Sequence, residues 1–214
     1  MSIKMNTKNK KAVLISGLIF FLFVLSLYFD GYIAHGISYL KNNFLNEFFI
    51  GLTFTSSEII IFFFLTSLFL WSENKRKWIL PLWFTLMLSS LVSFILKVVI
   101  QRPRPFQCGI IELAPFLIKN SYYIWDFSFP SAQTMLVFSA IPLLLKEFPK
   151  FKWIWMVLAG LVAFSRLYFG FHFLSDVIAG AFFGYMIGAL VIKTEKENRF
   201  WEKIYWRIYD KFVK

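Results

Sequence analysis

The sequence predicts an all-α integral membrane protein, six transmembrane helices packed in one bundle. Three observations carry that prediction. Of the 214 residues, 58% are hydrophobic and only 16% are charged. The apolar residues come in long unbroken blocks, and the basic residues gather at the ends of those blocks. A block of about 17–25 apolar residues is what a helix needs to cross a hydrocarbon core of roughly 30 Å, whereas a soluble helix interleaves charge with its apolar face.

The first block, residues 12–29, lies between Lys11 and Asp30. It follows a basic amino end, as a signal peptide does, but no small-residue cleavage pattern precedes Asp30, so a retained helix is expected. Further blocks at 48–71, 78–96, 127–145, 153–169 and 171–192 supply the other five spans. Between the third and fourth, residues 106–125 are apolar and aromatic but interrupted by Glu112 and Lys119, the pattern of an interfacial flap. The six spans make one domain over residues 1–192. In the remainder, 193–214, Phe200, Trp201, Ile204, Tyr205, Ile208, Tyr209, Phe212 and Val213 recur at a spacing of about four with Lys203, Arg207 and Lys211 beside them. That is an amphipathic basic tail, expected to lie on the inner membrane surface.

The formal charge of +11 does not call for a nucleic acid partner, because its positions are those of topology signals. Seventeen of the 23 lysines and arginines fall in the amino end, around Lys75, Arg76 and Lys77, around Lys146, Lys150 and Lys152, and in the tail. With six spans all of these share one side, so both termini are expected in the cytoplasm. The expected partners are the bilayer and a membrane lipid. The single cysteine, Cys108, excludes an internal disulfide and a clustered-thiolate zinc site, and no metal or cofactor is expected.

Six basic residues are left for the outer face: Lys41, Lys97, Arg102, Arg104, Lys119 and Arg166. The positive-inside bias disfavours charges there, so something anionic must compensate them. Lys97 closes the third span, and Arg102-Pro103-Arg104-Pro105 follows, the prolines stopping the helix and stiffening its exit. One such residue would be an interfacial snorkeller, but Lys97, Arg102, Arg104 and Arg166 together make an anion pocket. Arginine offers a fork of donors to phosphate oxygens and lysine a point charge.

The last two spans carry Ser165-Arg166, five residues, His172, three residues and Asp176. If the sixth helix begins near 171, His172 and Asp176 share one face at i and i+4. The carboxylate then accepts a hydrogen bond from one imidazole nitrogen and leaves the other as an oriented nucleophile. Gly170 permits the tight turn between the spans, and Gly180, Gly184 and Gly188 form a small-residue stripe suited to close helix packing. Glu58, inside the second span, is expected either near the pocket or as a protonated tie between two helices. His35 has no identifiable partner and is expected to be incidental.

These motifs give the chain a specific resemblance to the type-2 phosphatidic acid phosphatase family. That family's pattern is Lys, six residues, Arg-Pro; then Pro-Ser-Gly-His; then Ser-Arg, five residues, His, three residues, Asp. Lys97 through Arg104-Pro105 matches the first part and Ser165-Arg166 through His172 and Asp176 the third, over residues 97–176. The resemblance implies a metal-independent, ping-pong hydrolase of the cell inner (cytoplasmic) membrane whose site opens to the periplasm or exterior. It implies His172 as the nucleophile that becomes phosphorylated, Asp176 as its orienting partner, and Lys97, Arg104, Arg166 and Ser131 as holders of the phosphate. Ser165 is a weaker contributor, and Arg102 lies outside the pattern. Lipid A 1-phosphate, phosphatidylglycerol phosphate and polyprenyl diphosphate are the substrates it suggests, and a noncatalytic lipid-phosphate binder or transporter is the alternative.

The second motif departs from the family, reading Phe129-Pro130-Ser131-Ala132-Gln133. The resemblance implies that position 133 protonates the leaving oxygen, and an amide cannot act as a general acid near neutral pH. Three explanations stand side by side: a deliberately disabled variant, a natural enzyme whose leaving group needs little protonation, or a protein that binds without hydrolysing.

Overall fold

In the computed structural model, residues 7–111 and 127–212 are described, and all their regular structure is helical. The helices are α1 (Thr7–Ser38), α2 (Asn43–Thr55), α3 (Glu58–Leu70), α4 (Ile79–Ile100), α5 (Ala132–Glu147), α6 (Lys152–Tyr168), α7 (Leu174–Asn198) and α8 (Phe200–Phe212). Short 3₁₀ turns at Glu73–Trp78 and Pro149–Phe151 join neighbours. Glu112, Lys119 and most of the expected flap lie outside the described residues.

Among the described residues four helices are long and apolar enough to span a membrane, and α2 with α3, bent by 66°, can form a fifth span. The count differs from the six expected because residues 127–131 of the fourth block are not helical. The backbone is extended at Ser131, and α5 starts only at Ala132. At 16 residues α5 is about 24 Å long, short of a full hydrocarbon thickness. Its apolar residues face protein: Met135, Leu136, Ala140, Ile141, Leu143 and Leu144 are all buried. A block of that composition is equally a buried core helix, and length alone does not separate the two.

The second block, expected as one helix, is broken at Thr55-Ser56-Ser57. Thr55 Oγ1 donates to the carbonyl of Gly51 at 2.9 Å and Ser56 Oγ to that of Thr53 at 3.3 Å. Such side-chain bonds compete with the helical ladder, and Ser57 turns extended. The first helix departs the other way, running on through Asp30 to Ser38 where a loop was expected from residue 30. Ser26, Asp30 and Ala34, spaced by four, are its buried face, while Phe20, Phe21, Tyr28 and Tyr32 point outward.

The tightest packing is α5 against α7. A Cβ added at Gly180, Gly184 or Gly188 would stand 2.7, 2.1 and 2.1 Å from the backbone oxygens of Ser131, Met135 and Ser139. The glycine stripe therefore serves close packing, as expected. It also holds the start of α5 beside the start of α7, where the candidate site forms. At the other end of α4 from Lys97, Lys146 lies over the Trp78 ring at 3.7 Å and Lys75 over Phe148 at 3.5 Å. There α8 docks through Lys77–Glu202 at 3.3 Å and the Phe84–Trp201 ring pair, its first turn capped by Glu195.

Candidate active site

Four segments converge at one end of the bundle: the end of α4 with residues 101–111, residues 127–131 before α5, the end of α6, and the turn 169–173 into α7. The chain reverses at Gly170, whose φ of +70° favours glycine and whose missing Cβ leaves room for Ile111. The amides of Phe171 and His172 both donate back to the Arg166 carbonyl, at 3.0 and 3.3 Å. That fixes the histidine relative to the end of α6.

His172 is buried, and it precedes α7 instead of lying on it. The expected helical i, i+4 geometry is therefore corrected: Asp176 Oδ2 is 3.8 Å from His172 Nδ1, beyond hydrogen-bond reach. Nδ1 lies instead 2.7 Å from the Ser128 carbonyl oxygen. A carbonyl only accepts, so Nδ1 carries the proton, and the neutral ring keeps its lone pair on Nε2. Among the described residues no hydrogen bond occupies Nε2. Asp176 acts one step back: its Oδ2 accepts from the Ser128 hydroxyl and, at 2.7 Å, from the Phe173 amide, capping α7. Its Oδ1 accepts from Arg102 Nη1 at 2.7 Å.

Burial pushes the His172 pKa down to about 3, helped by the charges of Arg104 and Lys97 and opposed by Asp176. That dependence also places both cations within electrostatic reach of the ring. Arg104 is buried, its Nη1 donating to the Phe171 carbonyl at 3.1 Å, and its backbone amide donates to Gln107 Oε1 at 2.8 Å. Lys97 Nζ donates to the Phe127 carbonyl. Arg166, also buried, donates from Nη2 to Thr53 Oγ1 and from Nε to Ser165 Oγ at 3.2 Å, and lies over the Phe171 ring. Three cationic side chains gathered around one buried ring make a setting that suits an anionic group.

The remaining expected residues divide. Ser131 stands at the N-cap position of α5 without a side-chain capping bond: its amide donates to the Asp176 carbonyl at 3.1 Å, and its hydroxyl pairs with Thr134 Oγ1 at 2.9 Å. Ser165 is buried, donating to the Val162 carbonyl at 2.7 Å while accepting from Arg166. Gln133 donates from its amide to the Ser56 carbonyl at 3.1 Å, at the break between α2 and α3. Glu58 is exposed in the first turn of α3 on a groove with Trp83, Leu86 and Ser90, so it is neither a buried tie nor among the residues around His172. His35 does have a partner, the Tyr39 hydroxyl at 2.9 Å, on an exposed surface about one and a half turns along α1 from Asp30.

Sequence reasoning missed Asp30, Ser128 and Thr53, and it put Arg102 in the anion pocket, whereas the structure pairs Arg102 with Asp30 and Asp176. Arg102 was visible as an outer-face charge and Asp30 as the end of an apolar block. Ser128 and Thr53 carried no signal, because one contributes a backbone carbonyl and the other one hydroxyl among many.

Residues 78–200 match the model of the PAP2 superfamily. Over 110 residues the chain is 33% identical to an undecaprenyl-diphosphatase of Sulfolobus acidocaldarius, covering 49% of this chain and 52% of that protein. It is 35% identical over 109 residues to a lipid A 1-phosphatase of Rhizobium johnstonii, covering 48% and 42%. The chain thus spans about half the length of the curated relatives it matches. Its fold superposes on the crystal structure of a transmembrane PAP2-type phosphatidylglycerolphosphate phosphatase from Bacillus subtilis with a TM-score of 0.65 and 23% identity, over 84% of this chain and 95% of that one. The superfamily match covers more than half the sequence and includes Lys97, Arg104, Arg166, His172 and Asp176, and the chain, a multi-pass helical membrane protein, belongs to the PAP2 superfamily.

Proposed function

We propose that this protein is an outward-facing lipid phosphatase that works through a phosphohistidine at His172. The observation that carries the reading is a neutral imidazole, its tautomer set by a backbone carbonyl, beside Lys97, Arg104 and Arg166. Nε2 attacks phosphorus in line, the bond to the leaving oxygen breaks, and the three cations balance the charge that spreads over the equatorial oxygens. Water then attacks the phosphohistidine and frees phosphate and His172. Asp176 and Ser131 steady the two helix starts that frame the site, and no metal takes part.

Gln133 selects among substrates. A lipid diphosphate releases a phosphate monoester, which leaves without a proton, whereas a lipid monophosphate must expel an alkoxide. With an amide at 133 the chain is suited to diphosphates such as a polyprenyl diphosphate. A noncatalytic lipid-phosphate binder is the second reading, and the engagement of the Gln133 amide with Ser56 favours it. Phosphate release from a panel of a polyprenyl diphosphate, phosphatidylglycerol phosphate and lipid A 1-phosphate, run with and without chelator, separates them. Release from the diphosphate, unaffected by chelator, is expected. Binding of all three without release would establish the binder, and loss of activity in chelator would end the metal-free step.

The same proposal places α5 as a sixth, short crossing, both termini and α8 on the cytoplasmic side, and residues 30–47, 97–126 and 166–172 outside, in an inner membrane. Cys108 is exposed on this outer segment and is the chain's single cysteine. An impermeant maleimide is expected to label it from intact cells with the outer barrier opened. Labelling only after lysis would reverse the orientation.

A further inference from the structure

We infer that Asp30 and Arg102 form a strut that positions Asp176, and through Ser128 the His172 ring, without touching the phosphate. The inference rests on the proposed role of His172. Arg102 follows the end of α4, and its guanidinium is engaged by α1 and α7. Its Nη2 donates to Asp30 Oδ2 at 2.7 Å, and its Nη1 donates to Asp176 Oδ1 at 2.7 Å and Ser175 Oγ at 2.6 Å. The face of the guanidinium lies 4.2 Å from the Phe173 ring centroid. The fork is thus divided between two carboxylates and closed on one side by an aromatic face, which leaves it poorly placed to grip a phosphate.

Asp30 completes the far end. Buried on α1, it accepts from Arg102, from the Ser175 amide at 3.0 Å and from the Ser175 hydroxyl. Charge and hydrogen bonding are therefore continuous from Asp30 to Arg102 to Asp176, then by the Ser128 hydroxyl and carbonyl to His172 Nδ1. Asp176 has several donors, and Arg102 is the cation that bonds it at 2.7 Å. Without Arg102 a buried carboxylate beside the imidazole would lose its counter-charge, and would draw the Nδ1 proton or turn away from Ser128.

The chain has two histidines, so ¹⁵N-histidine labelling gives two ring systems to follow, with His35 as internal control. In wild type His172 is expected as a single Nδ1–H tautomer. In Arg102→Gln and Asp30→Asn that signature is expected to give way to mixed tautomers, His35 staying unchanged. Turnover should fall roughly 10²-fold, the cost of small misplacement of a reacting group. Vanadate affinity should stay within about threefold, while Arg104→Ala should weaken it by tenfold or more.

Arg102→Gln leaves two buried carboxylates, Asp30 and Asp176, without their shared cation and can fail to fold, so the Asp30→Asn/Arg102→Gln pair is measured too. It returns the cluster to its wild-type net charge and should recover part of the thermal stability without recovering the tautomer or the turnover. An unchanged His172 signature in that folded pair, or vanadate binding weakened as much as in Arg104→Ala, would overturn the strut. If wild type releases no phosphate but the tautomer responds as expected, the phosphatase reading fails and the strut stands.

Discussion

Replacing His172 by alanine is expected to abolish phosphate release, a loss on the order of 10⁴–10⁶-fold, the range seen when a covalent nucleophile or its close partner is deleted. Lys97, Arg104 and Arg166 hold charge, whereas this ring, with Nδ1 bonded to Ser128, keeps a lone pair on Nε2. Base-quenched protein incubated with ³²P-labelled substrate should carry label on His172 in wild type and none in the variant. Normal turnover by His172→Ala would remove the mechanism.

The same residue fixes a pH signature. Burial, then the charges of Arg104 and Lys97, hold its pKa at about 3 against an ordinary 6.5. Between these values the unfolded chain takes up a proton that the folded chain refuses. The contribution to stability is therefore complete above about pH 6.5 and is lost as pH falls toward 3. Label formation should accordingly persist at pH 5, with no step at the usual histidine pKa. An inflection near 6.5 in single-turnover labelling would mean that the nucleophile is less enclosed than the fold indicates.

Restoring Gln133→His is expected to raise turnover of a lipid monophosphate by roughly 10²–10⁴-fold, the usual contribution of a positioned general acid. The gain should be much smaller for a diphosphate, whose leaving group departs without a proton. Vanadate affinity should change little, because Lys97, Arg104 and Arg166 supply the charge in both proteins. The Gln133 amide contacts the Ser56 carbonyl, so an imidazole there must turn from that carbonyl toward the site to act. Equal rates for both substrates in both proteins would show that it does not, and that position 133 holds the α2–α3 break alone.

The sequence by itself determined the solvent, the helical class and the family. Unbroken apolar blocks admit no other economical backbone in hydrocarbon, because each amide must bond within its own helix. The first and third motifs announced that family through residue types and spacing, and Lys97, Arg104 and Arg166 stood out because the positive-inside bias disfavours cations at those helix ends in the expected topology. Gly170 and the α7 glycines were legible for a local reason, since one needs positive φ and the others admit a backbone at contact distance.

What only the tertiary structure decided are the relations between segments distant in sequence. Periodicity placed His172 and Asp176 on one helical turn, but α7 starts two residues after His172, and the carbonyl of Ser128, 44 residues away, accepts the hydrogen bond from Nδ1 instead. Asp30 looked like the end of a span and Arg102 like one more member of the anion pocket. Their pairing across 72 residues, within the network around Asp176, exists only once α1, α4 and α7 meet. Hydropathy, which averages over a window, likewise could not tell a short buried helix at 132–147 from a full span, nor see the bend that three local hydroxyl residues introduce at 55–57. Span length is a property of composition, whereas the partner of a buried polar atom is decided by which helix arrives beside it.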